Sequence, residues 1–248
     1  MTDDTNEGGM NDGSGRPGTL YGLGVGPGDP ELLTLKALRI IRAAPVLAYP
    51  APPEGESMAR AIAAPHLPGG QSEIVIRMPL DAARFPGDEI YAEAAREIAE
   101  HLEAGRDVAA LCEGDPFFYG SFMYLFSRLA DTHNIEVVPG VSSPMACAAA
   151  LRAPLAARND VFSVLPAPLP EDLLRARLET CDAAAIVKVG RHIAKVRRVL
   201  QELGLEARAR YIERAGHAAE RILALSEAED PAPYFSMVLL HRRGEAWA

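Results

Sequence analysis

Short apolar runs alternate with longer amphipathic segments along the first 150 or so residues. The apolar runs are "TLYGLGV", "PVLAYP", "EIVIRM", "DVAALC" and "IEVV". Between them, apolar residues at helical spacing predict helices over about 30–43, 88–104 and 120–133. Strands that alternate with helices favour a parallel sheet covered by helices. The N-terminal part is therefore predicted to form an α/β domain.

The second of these helices has a clear buried face. Apolar residues recur at every fourth position, and charged residues fill most of the positions between them; the recurring residues are Ile90, Ala94, Ile98 and Leu102. This spacing is typical of an amphipathic helix that packs one face on a core. Its charged residues are expected to form a solvated face.

The C-terminal part follows a stretch in which prolines interrupt the chain, at positions 154, 166, 168 and 170. Its candidate strands are "DVFSVLP", "AAAIVKVG", "ARARYIE", "RILAL" and "YFSMVLLHR", with helices near 171–180 and 191–203. Because "RILAL" and the last strand follow closely, we expect them to pair antiparallel within a mixed sheet. The prediction is two α/β domains, over residues 17–153 and 154–248.

Composition narrows the class of protein. Residues 1–16 are polar and acidic, which predicts a disordered tail outside the fold. No apolar run approaches the roughly 20 residues that cross a bilayer, and the start lacks the pattern of a secretory signal. We therefore expect a soluble, cytoplasmic protein that does not bind membranes. The net charge of −9 argues against a nucleic-acid partner.

Three cysteines, Cys112, Cys147 and Cys181, are widely spaced in apolar contexts. This pattern favours buried, reduced thiols over disulfides or a zinc site. No metal is predicted.

Glycine, proline and acidic or hydroxyl residues recur where three predicted strands end. "GPGDPE" follows "TLYGLGV", "EGDPFFYGS" follows "DVAALC", and "PGVSSPM" follows "IEVV". The carboxyl ends of parallel strands lie along one edge, where α/β proteins bind ligands. The simplest consequence is one composite site. The simpler alternative is that Asp29, Asp115 and Ser142 only cap helices.

The glycines of the first loop do not complete a phosphate-binding motif. A dinucleotide fingerprint that starts at Gly22 or Gly24 would end on Pro27 or Asp29, and no Gly-Lys-Ser/Thr follows. The three loops also lack lysine and arginine. A neutral or zwitterionic ligand is therefore expected.

The segments "GLGVGPGDPELLTLKAL", "CEGDPFFYGSFMYL" and "VVPGVSS" resemble, in order and spacing, motifs of the tetrapyrrole methyltransferases of cobalamin and sirohaem synthesis, which use S-adenosylmethionine. The resemblance covers about residues 19–152. Later segments, "AIVKVG", "YIERAG" and "YFSMVLL", resemble the family's second domain. Within the family, the chain most resembles the branch that methylates carbon 20 of precorrin-2.

The resemblance implies a homodimer of two-domain subunits, with the methyl donor held in a cleft between the domains and the tetrapyrrole in an open trough beside it. Seven residues of the first domain match family positions that contact the donor: Pro27, Gly114, Asp115, Pro116, Phe118, Ser142 and Ser143. In the second domain the match is looser and falls on Lys188, Ala215 and Ser236.

The substrate implied by this resemblance carries many carboxylates, so some arginines are expected to converge on the trough. The candidates are Arg39, Arg42, Arg77, Arg84, Arg128, Arg158, Arg191 and Arg214. The titratable groups nearest the second motif are Glu113, Asp115, Tyr119 and Tyr124. None of them is assigned a catalytic role, because water or a substrate carboxylate could also take a proton.

Two alternatives stay open beside methylation of precorrin-2. The first keeps the chemistry and changes the acceptor, to a cobalt-containing counterpart (cobalt-factor II), another precorrin, uroporphyrinogen, or a macromolecule as in the diphthamide and ribosomal RNA branches. The absence of a basic face weakens the RNA version. The second alternative is a protein that binds the tetrapyrrole or S-adenosylmethionine without turnover.

Overall fold

The computed structural model describes residues 16–78, 88–244 and 246. Within them, two five-stranded sheets follow one another along the chain. The predicted fold class is confirmed, with a parallel sheet first and a mixed sheet second. Apart from Arg16, the predicted tail lies outside the described residues, and the division between residues 153 and 154 stays a prediction.

All neighbouring strands of the first sheet are parallel, in the order β3-β2-β4-β1-β5. The strands are β1 (Thr19–Gly24), β2 (Val46–Ala51), β3 (Ser72–Arg77), β4 (Val108–Cys112) and β5 (Asn134–Val138). The helices of this part are α1 (Leu35–Ala43), α2 (Met58–Ala63), α3 (Asp88–Glu103), α4 (Phe122–Leu129) and α5 (Ser143–Ala150). The predicted apolar face of α3 is confirmed, because Ala94, Ile98 and Leu102 are buried.

The first predicted helix is in fact two elements. A short 3-10 turn, Pro30–Leu32, starts after Asp29, whose carboxylate accepts a hydrogen bond from the Glu31 N–H at 2.8 Å. Thr34 then adopts an extended backbone and caps α1, with its Oγ1 accepting from the Ala37 N–H at 3.1 Å. The single helix over 30–43 was therefore wrong, because Thr34 offers a second N-cap within it.

The second sheet has the order β6-β7-β10-β8-β9. Its strands are β6 (Phe162–Pro166), β7 (Ala183–Val187), β8 (Ala209–Glu213), β9 (Arg221–Leu223) and β10 (Ser236–His241), with helices α6 (Glu171–Thr180) and α7 (Ile193–Glu202). β6 and β7 are parallel, and the other pairs are antiparallel.

The expected pairing of "RILAL" with the last strand was wrong. β9 pairs with β8, and β10 lies between β7 and β8. Every residue of β10 is buried, which suits an interior strand, whereas β9 has three residues and exposes Arg221 and Ile222. A short, partly exposed strand is suited to a sheet edge.

One apolar cluster joins the two halves. Cys147 of α5 is buried together with Ile212, Met237 and Leu239 of the second sheet. All three cysteines are buried and free, as predicted. No helix within the described ranges is long and apolar enough to cross a membrane.

Candidate active site

The three loops singled out in the sequence lie side by side. β4, β1 and β5 are neighbouring parallel strands, so the loops that follow them open at the same edge of the sheet. We call residues 25–29 the first loop, 113–121 the second and 139–142 the third. The expected adjacency of the three loops is confirmed, and their forming one ligand site stays a prediction.

Main-chain hydrogen bonds join the first loop to the second. The Gly114 N–H donates to the Gly26 carbonyl at 2.8 Å, and the Gly26 N–H donates to the Gly114 carbonyl at 3.3 Å. Both residues have positive φ, +79° and +65°, a region that favours glycine. Pro27 follows this bridge directly and is partly exposed. The first loop is therefore a fixed wall beside the second.

Asp115 joins the second loop to the third. Its Oδ1 accepts from the Phe117 N–H at 2.9 Å, and its Oδ2 accepts from the Gly140 N–H at 3.0 Å. Gly140 must be glycine, because a Cβ there would lie 2.1 Å from the Gly114 carbonyl oxygen. Asp115 thus closes its own turn and holds the third loop, and it does not cap a helix.

The remaining first-domain candidates lie on the same loops. Pro116 is buried, whereas Phe118 is partly exposed, and Phe118 contacts the Tyr119 ring edge to face at 5.0 Å. Ser142 stands at the N-cap position of α5 without a capping bond from its side chain, and Ser143 is the first residue of that helix. The Ser142 side chain is thus not committed to the capping role that was the simpler alternative.

The second domain reaches the second loop through Lys188, which follows β7. The Lys188 ammonium lies 5.0 Å from the centre of the Tyr119 ring, a cation–π distance. Both residues have left-handed backbones, with φ of +58° and +56°. Such conformations cost about 1–3 kcal/mol each and concentrate at functional sites. The contact joins the segment after β7 to the second loop.

The second domain also packs on the first loop, through the segment after β8. A Cβ on Gly28 would lie 2.9 Å from the Ala215 carbonyl oxygen and 2.6 Å from Cδ2 of His217. The His217 Nε2 atom is buried and has no hydrogen-bond partner within the described part of the chain. A buried polar atom of this kind fits a site that a polar ligand completes. The sequence held no signal for His217, because a single histidine beside a glycine is not distinctive.

Ser236 forms its side-chain hydrogen bond outside the three loops. It opens β10, is buried, and donates its hydroxyl to the Pro233 carbonyl at 2.7 Å. Its hydrogen is thus used within its own segment.

Glu113 opens the second loop beside Gly114. The Ala59 N–H, in the first turn of α2, donates to its carboxylate. Although the residue is partly exposed, burial raises the pKa of the Glu113 carboxyl to about 7, and the Ala59 bond only partly opposes this. Desolvation, and then the charge of Glu113, raise the pKa of the Tyr234 phenol in the segment before β10. The Glu113 carboxyl, at the start of the second loop, therefore changes its charge near neutral pH.

Among the described residues, three of the candidate arginines lie on separate elements. Arg77 lies at the carboxyl end of β3 and donates to the Pro52 and Gly55 carbonyls at 2.9 and 3.4 Å. Arg214 has a left-handed backbone and precedes Ala215, whose carbonyl oxygen lies next to Gly28 of the first loop. Arg128 is paired with Asp88 at 2.8 Å.

Arg42 lies away from the three loops. It lies in the last turn of α1, and the end of that helix is bound by Gln71, the residue before β3, through the Ile41 and Ala44 carbonyls. This is the opposite edge of the sheet, because β3 begins there. Arg84 lies outside the described residues. Within the described part of the chain, Arg39, Arg158 and Arg191 make no hydrogen bond or ion pair with the three loops.

A comparison with known protein families identifies the family of this chain. The family model for Tetrapyrrole (Corrin/Porphyrin) Methylases matches residues 19–229. The chain belongs to this family. Its members are S-adenosylmethionine-dependent methyltransferases, and the match takes in all three loops and the segments of Lys188 and Ala215.

Two relatives show which members of the family this tetrapyrrole methylase is similar to. It is 41% identical over 232 residues to the precorrin-2 C(20)-methyltransferase of a Sinorhizobium species, covering 90% of this chain and 95% of that protein. It is 47% identical over 232 residues to the cobalamin biosynthesis protein CobIJ of Mycobacterium tuberculosis, and covers 90% of this chain but 46% of CobIJ. The methylase thus spans about half the length of the CobIJ relatives.

A solved structure of a relative has the same fold. The uroporphyrin-III C-methyl transferase of Thermus thermophilus, in complex with S-adenosyl homocysteine, superposes with a TM-score of 0.66 at 26% identity. The match covers 90% of this methylase and 92% of the Thermus chain.

Proposed function

We propose that this tetrapyrrole methylase transfers the methyl group of S-adenosylmethionine to carbon 20 of precorrin-2, giving precorrin-3A in cobalamin biosynthesis. The observation that carries the choice of acceptor is the 41% identity to a precorrin-2 C(20)-methyltransferase over 95% of that protein's length. The fold and the composite cleft agree with this function.

The proposed donor site lies between the domains. Its members are Pro27, Gly114, Asp115, Pro116, Phe118, Ser142, Ser143, Lys188, Ala215 and Ser236. Supporting this, loops from both domains meet there, and the unpartnered His217 Nε2 next to Gly28 offers a hydrogen bond to a bound ligand. When bound, S-adenosylmethionine supplies an electrophilic methyl group on a positively charged sulfur.

The residues of the chain mainly align the two reactants. The Gly26–Gly114 bridge and the two bonds of Asp115 fix the three loops before any ligand binds. A fixed cleft holds two reactants at reacting distance without further loss of freedom, which is a major source of rate enhancement. The Lys188–Tyr119 contact lies across the cleft, where it would limit the access of water.

A different acceptor is the closest alternative. CobIJ is about twice as long as the matched part, and the Thermus neighbour is named for uroporphyrin-III. The cleft would have to perform the same chemistry on a cobalt-containing counterpart of precorrin-2 or on another precorrin. We propose in addition that the methylase acts as a cytoplasmic homodimer, as the family resemblance implies.

The test is incubation of the purified protein, without oxygen, with S-adenosylmethionine and precorrin-2 generated in place. The expected result is a mass increase of one methyl group, with an equal amount of S-adenosylhomocysteine, and no reaction with uroporphyrinogen in a parallel sample. Methylation of uroporphyrinogen alone would overturn the proposed acceptor. Donor binding with no S-adenosylhomocysteine from any tetrapyrrole would favour a binding protein.

A further inference from the structure

Lys188 reaches the second loop through its side chain. Its ammonium lies 5.0 Å from the centre of the Tyr119 ring. Among the residues that the structure describes, no other lysine or arginine side chain forms a hydrogen bond, ion pair or cation–π contact with the three loops. At these contacts the positive charge beside the loops therefore comes from Lys188.

The Lys188 ammonium has no anionic partner within the described ranges. The other lysines of the chain are bound, because Lys36 is paired with Glu136 and Lys195 donates to the Leu169 carbonyl. Lys188 is exposed and forms no hydrogen bond or ion pair with a described residue. An ammonium has three donor hydrogens. The Tyr119 ring covers one side of it, so donors remain for a further acceptor.

An exposed aromatic surface of the second loop lies beside this ammonium. Phe117 and Tyr119 are 50% and 48% exposed, and the Phe118 ring meets the Tyr119 ring edge to face at 5.0 Å. Tyr119 and Lys188 both have left-handed backbones, a strained conformation that persists only where the surrounding fold imposes it. The fold thus holds apolar rings and a free ammonium side by side.

We propose that the Lys188 ammonium binds a carboxylate side chain of the tetrapyrrole acceptor, while the Tyr119 ring contacts the apolar part of the same ligand. The inference rests on the proposed function and names two residues that determine its acceptor. A macrocycle with carboxylates around apolar rings matches this pair of groups. A charge-assisted hydrogen bond to a carboxylate is also stronger than a cation–π contact at an exposed site.

The donor has a carboxylate as well, but it suits Lys188 less. S-adenosylmethionine carries that carboxylate together with an ammonium and a sulfonium, so its net charge is positive. Its positive charges repel a lysine and oppose the attraction of the carboxylate. The acceptor is an anion, and nothing opposes its attraction. The inference concerns the ammonium of Lys188, whose main chain stays in the proposed donor site.

The test compares three lysine variants. Lys188→Met removes the charge and keeps an apolar side chain of similar length, whereas Lys188→Arg keeps the charge. Lys195→Met is the matched control, because it removes the same charge from the same domain at a lysine bound to the Leu169 carbonyl. The measurements are KM and kcat for precorrin-2, and the Kd of S-adenosylmethionine by calorimetric titration.

Lys188→Met should raise KM for precorrin-2 by about tenfold, because it removes binding that the acceptor has before and during the reaction. Its kcat and its Kd for the donor should stay within about twofold of the wild type. Lys188→Arg should restore most of the affinity, and Lys195→Met should match the wild type. Added salt should raise KM more in the wild type than in Lys188→Met, because salt screens the charge pair.

A second pair of variants tests the ring and serves if Lys188→Met does not fold. Tyr119→Phe keeps the ring and should leave KM unchanged, whereas Tyr119→Leu should raise it. The effects of Tyr119→Leu and Lys188→Met should not add in the double variant, because the two side chains bind one ligand group together.

Three results would overturn the inference. A wild-type KM in Lys188→Met would remove the proposed carboxylate contact and leave methyl transfer standing. A weaker donor Kd with an unchanged KM would show that the Lys188 ammonium serves S-adenosylmethionine. A wild type that makes no methylated tetrapyrrole would remove the proposed function and this inference with it.

Discussion

Asp115 satisfies two backbone N–H groups with one carboxylate, that of Phe117 in its own loop and that of Gly140 in the third loop. From the sequence, Asp115 was predicted to contact the donor, but its partners were not predictable. Gly140 is 25 residues away, and only the folded sheet brings the two together. Glu113 was named in the sequence because of its place in the second motif. Its raised pKa depends on burial, which no local sequence pattern shows.

Asp115→Ala should lower the free energy of unfolding by about 1–3 kcal/mol, because two N–H groups lose their acceptor. It should also weaken S-adenosylmethionine binding, because the third loop is released. Urea unfolding and calorimetric titration measure the two effects.

The matched control for this prediction is Asp107→Ala. Asp107 accepts from the Thr19 N–H at 2.7 Å, at the opposite edge of the sheet. Its loss should lower stability without changing donor affinity. Equal donor affinity in wild type and Asp115→Ala would contradict the prediction.

The raised pKa of Glu113, about 7 against 4.5 for an ordinary glutamate, predicts how stability depends on pH. Because folding favours the protonated carboxyl, its contribution is fully present below pH 4.5 and is lost as pH rises towards 7. Glu113→Gln should therefore gain about 1–3 kcal/mol relative to wild type between pH 5 and pH 8. Denaturant unfolding at both values measures it, and a constant difference would show that the carboxyl titrates normally.

At the scale of elements, periodicity predicted the strands of both sheets, because their apolar runs are long enough to stand out. It did not predict α2, whose six residues are too few to show a helical period. It also paired β9 with the wrong strand. The central position of β10 in the mixed sheet depends on its burial. That burial is a property of the assembled sheet and not of the turn between two neighbouring strands.

Thr34→Ala should lower the free energy of unfolding by about 1 kcal/mol, because Thr34 caps α1 through its side chain. Ser142→Ala is the comparison. Ser142 occupies the N-cap position of α5 without a capping bond, so its loss should change stability by less than about 0.5 kcal/mol. Chemical denaturation of both variants measures the pair, and equal losses would show that the cap contributes nothing specific.

At the scale of the whole molecule, α5 of the first half packs on the second sheet in the apolar cluster around Cys147, and the first loop meets the segment after β8. At the cleft, Gly28 lies so close to Ala215 and His217 that a side chain cannot be added without displacement. The position of the second domain is thus set partly by the glycines of the first loop. Sequence motifs indicated a cleft between domains, but this close approach was visible only in the fold.

Gly28→Ala should push the Ala215–His217 segment away from the first loop. The expected cost is about 1–3 kcal/mol of stability, together with about tenfold or more weaker binding of S-adenosylmethionine. Gly69→Ala is the control, because a Cβ there meets no atom within 4 Å, although its φ of +85° adds backbone strain. If Gly28→Ala binds the donor as tightly as Gly69→Ala, the close approach does not shape the donor site.

The most direct test of the account uses S-adenosylmethionine labelled with carbon-13 in its methyl group. The protein is incubated with this donor and precorrin-2 without oxygen, and the position of the label is determined by NMR. The account predicts one labelled methyl group, on carbon 20 of the tetrapyrrole. A labelled methyl group at another position, or a tetrapyrrole that carries no label, would contradict it.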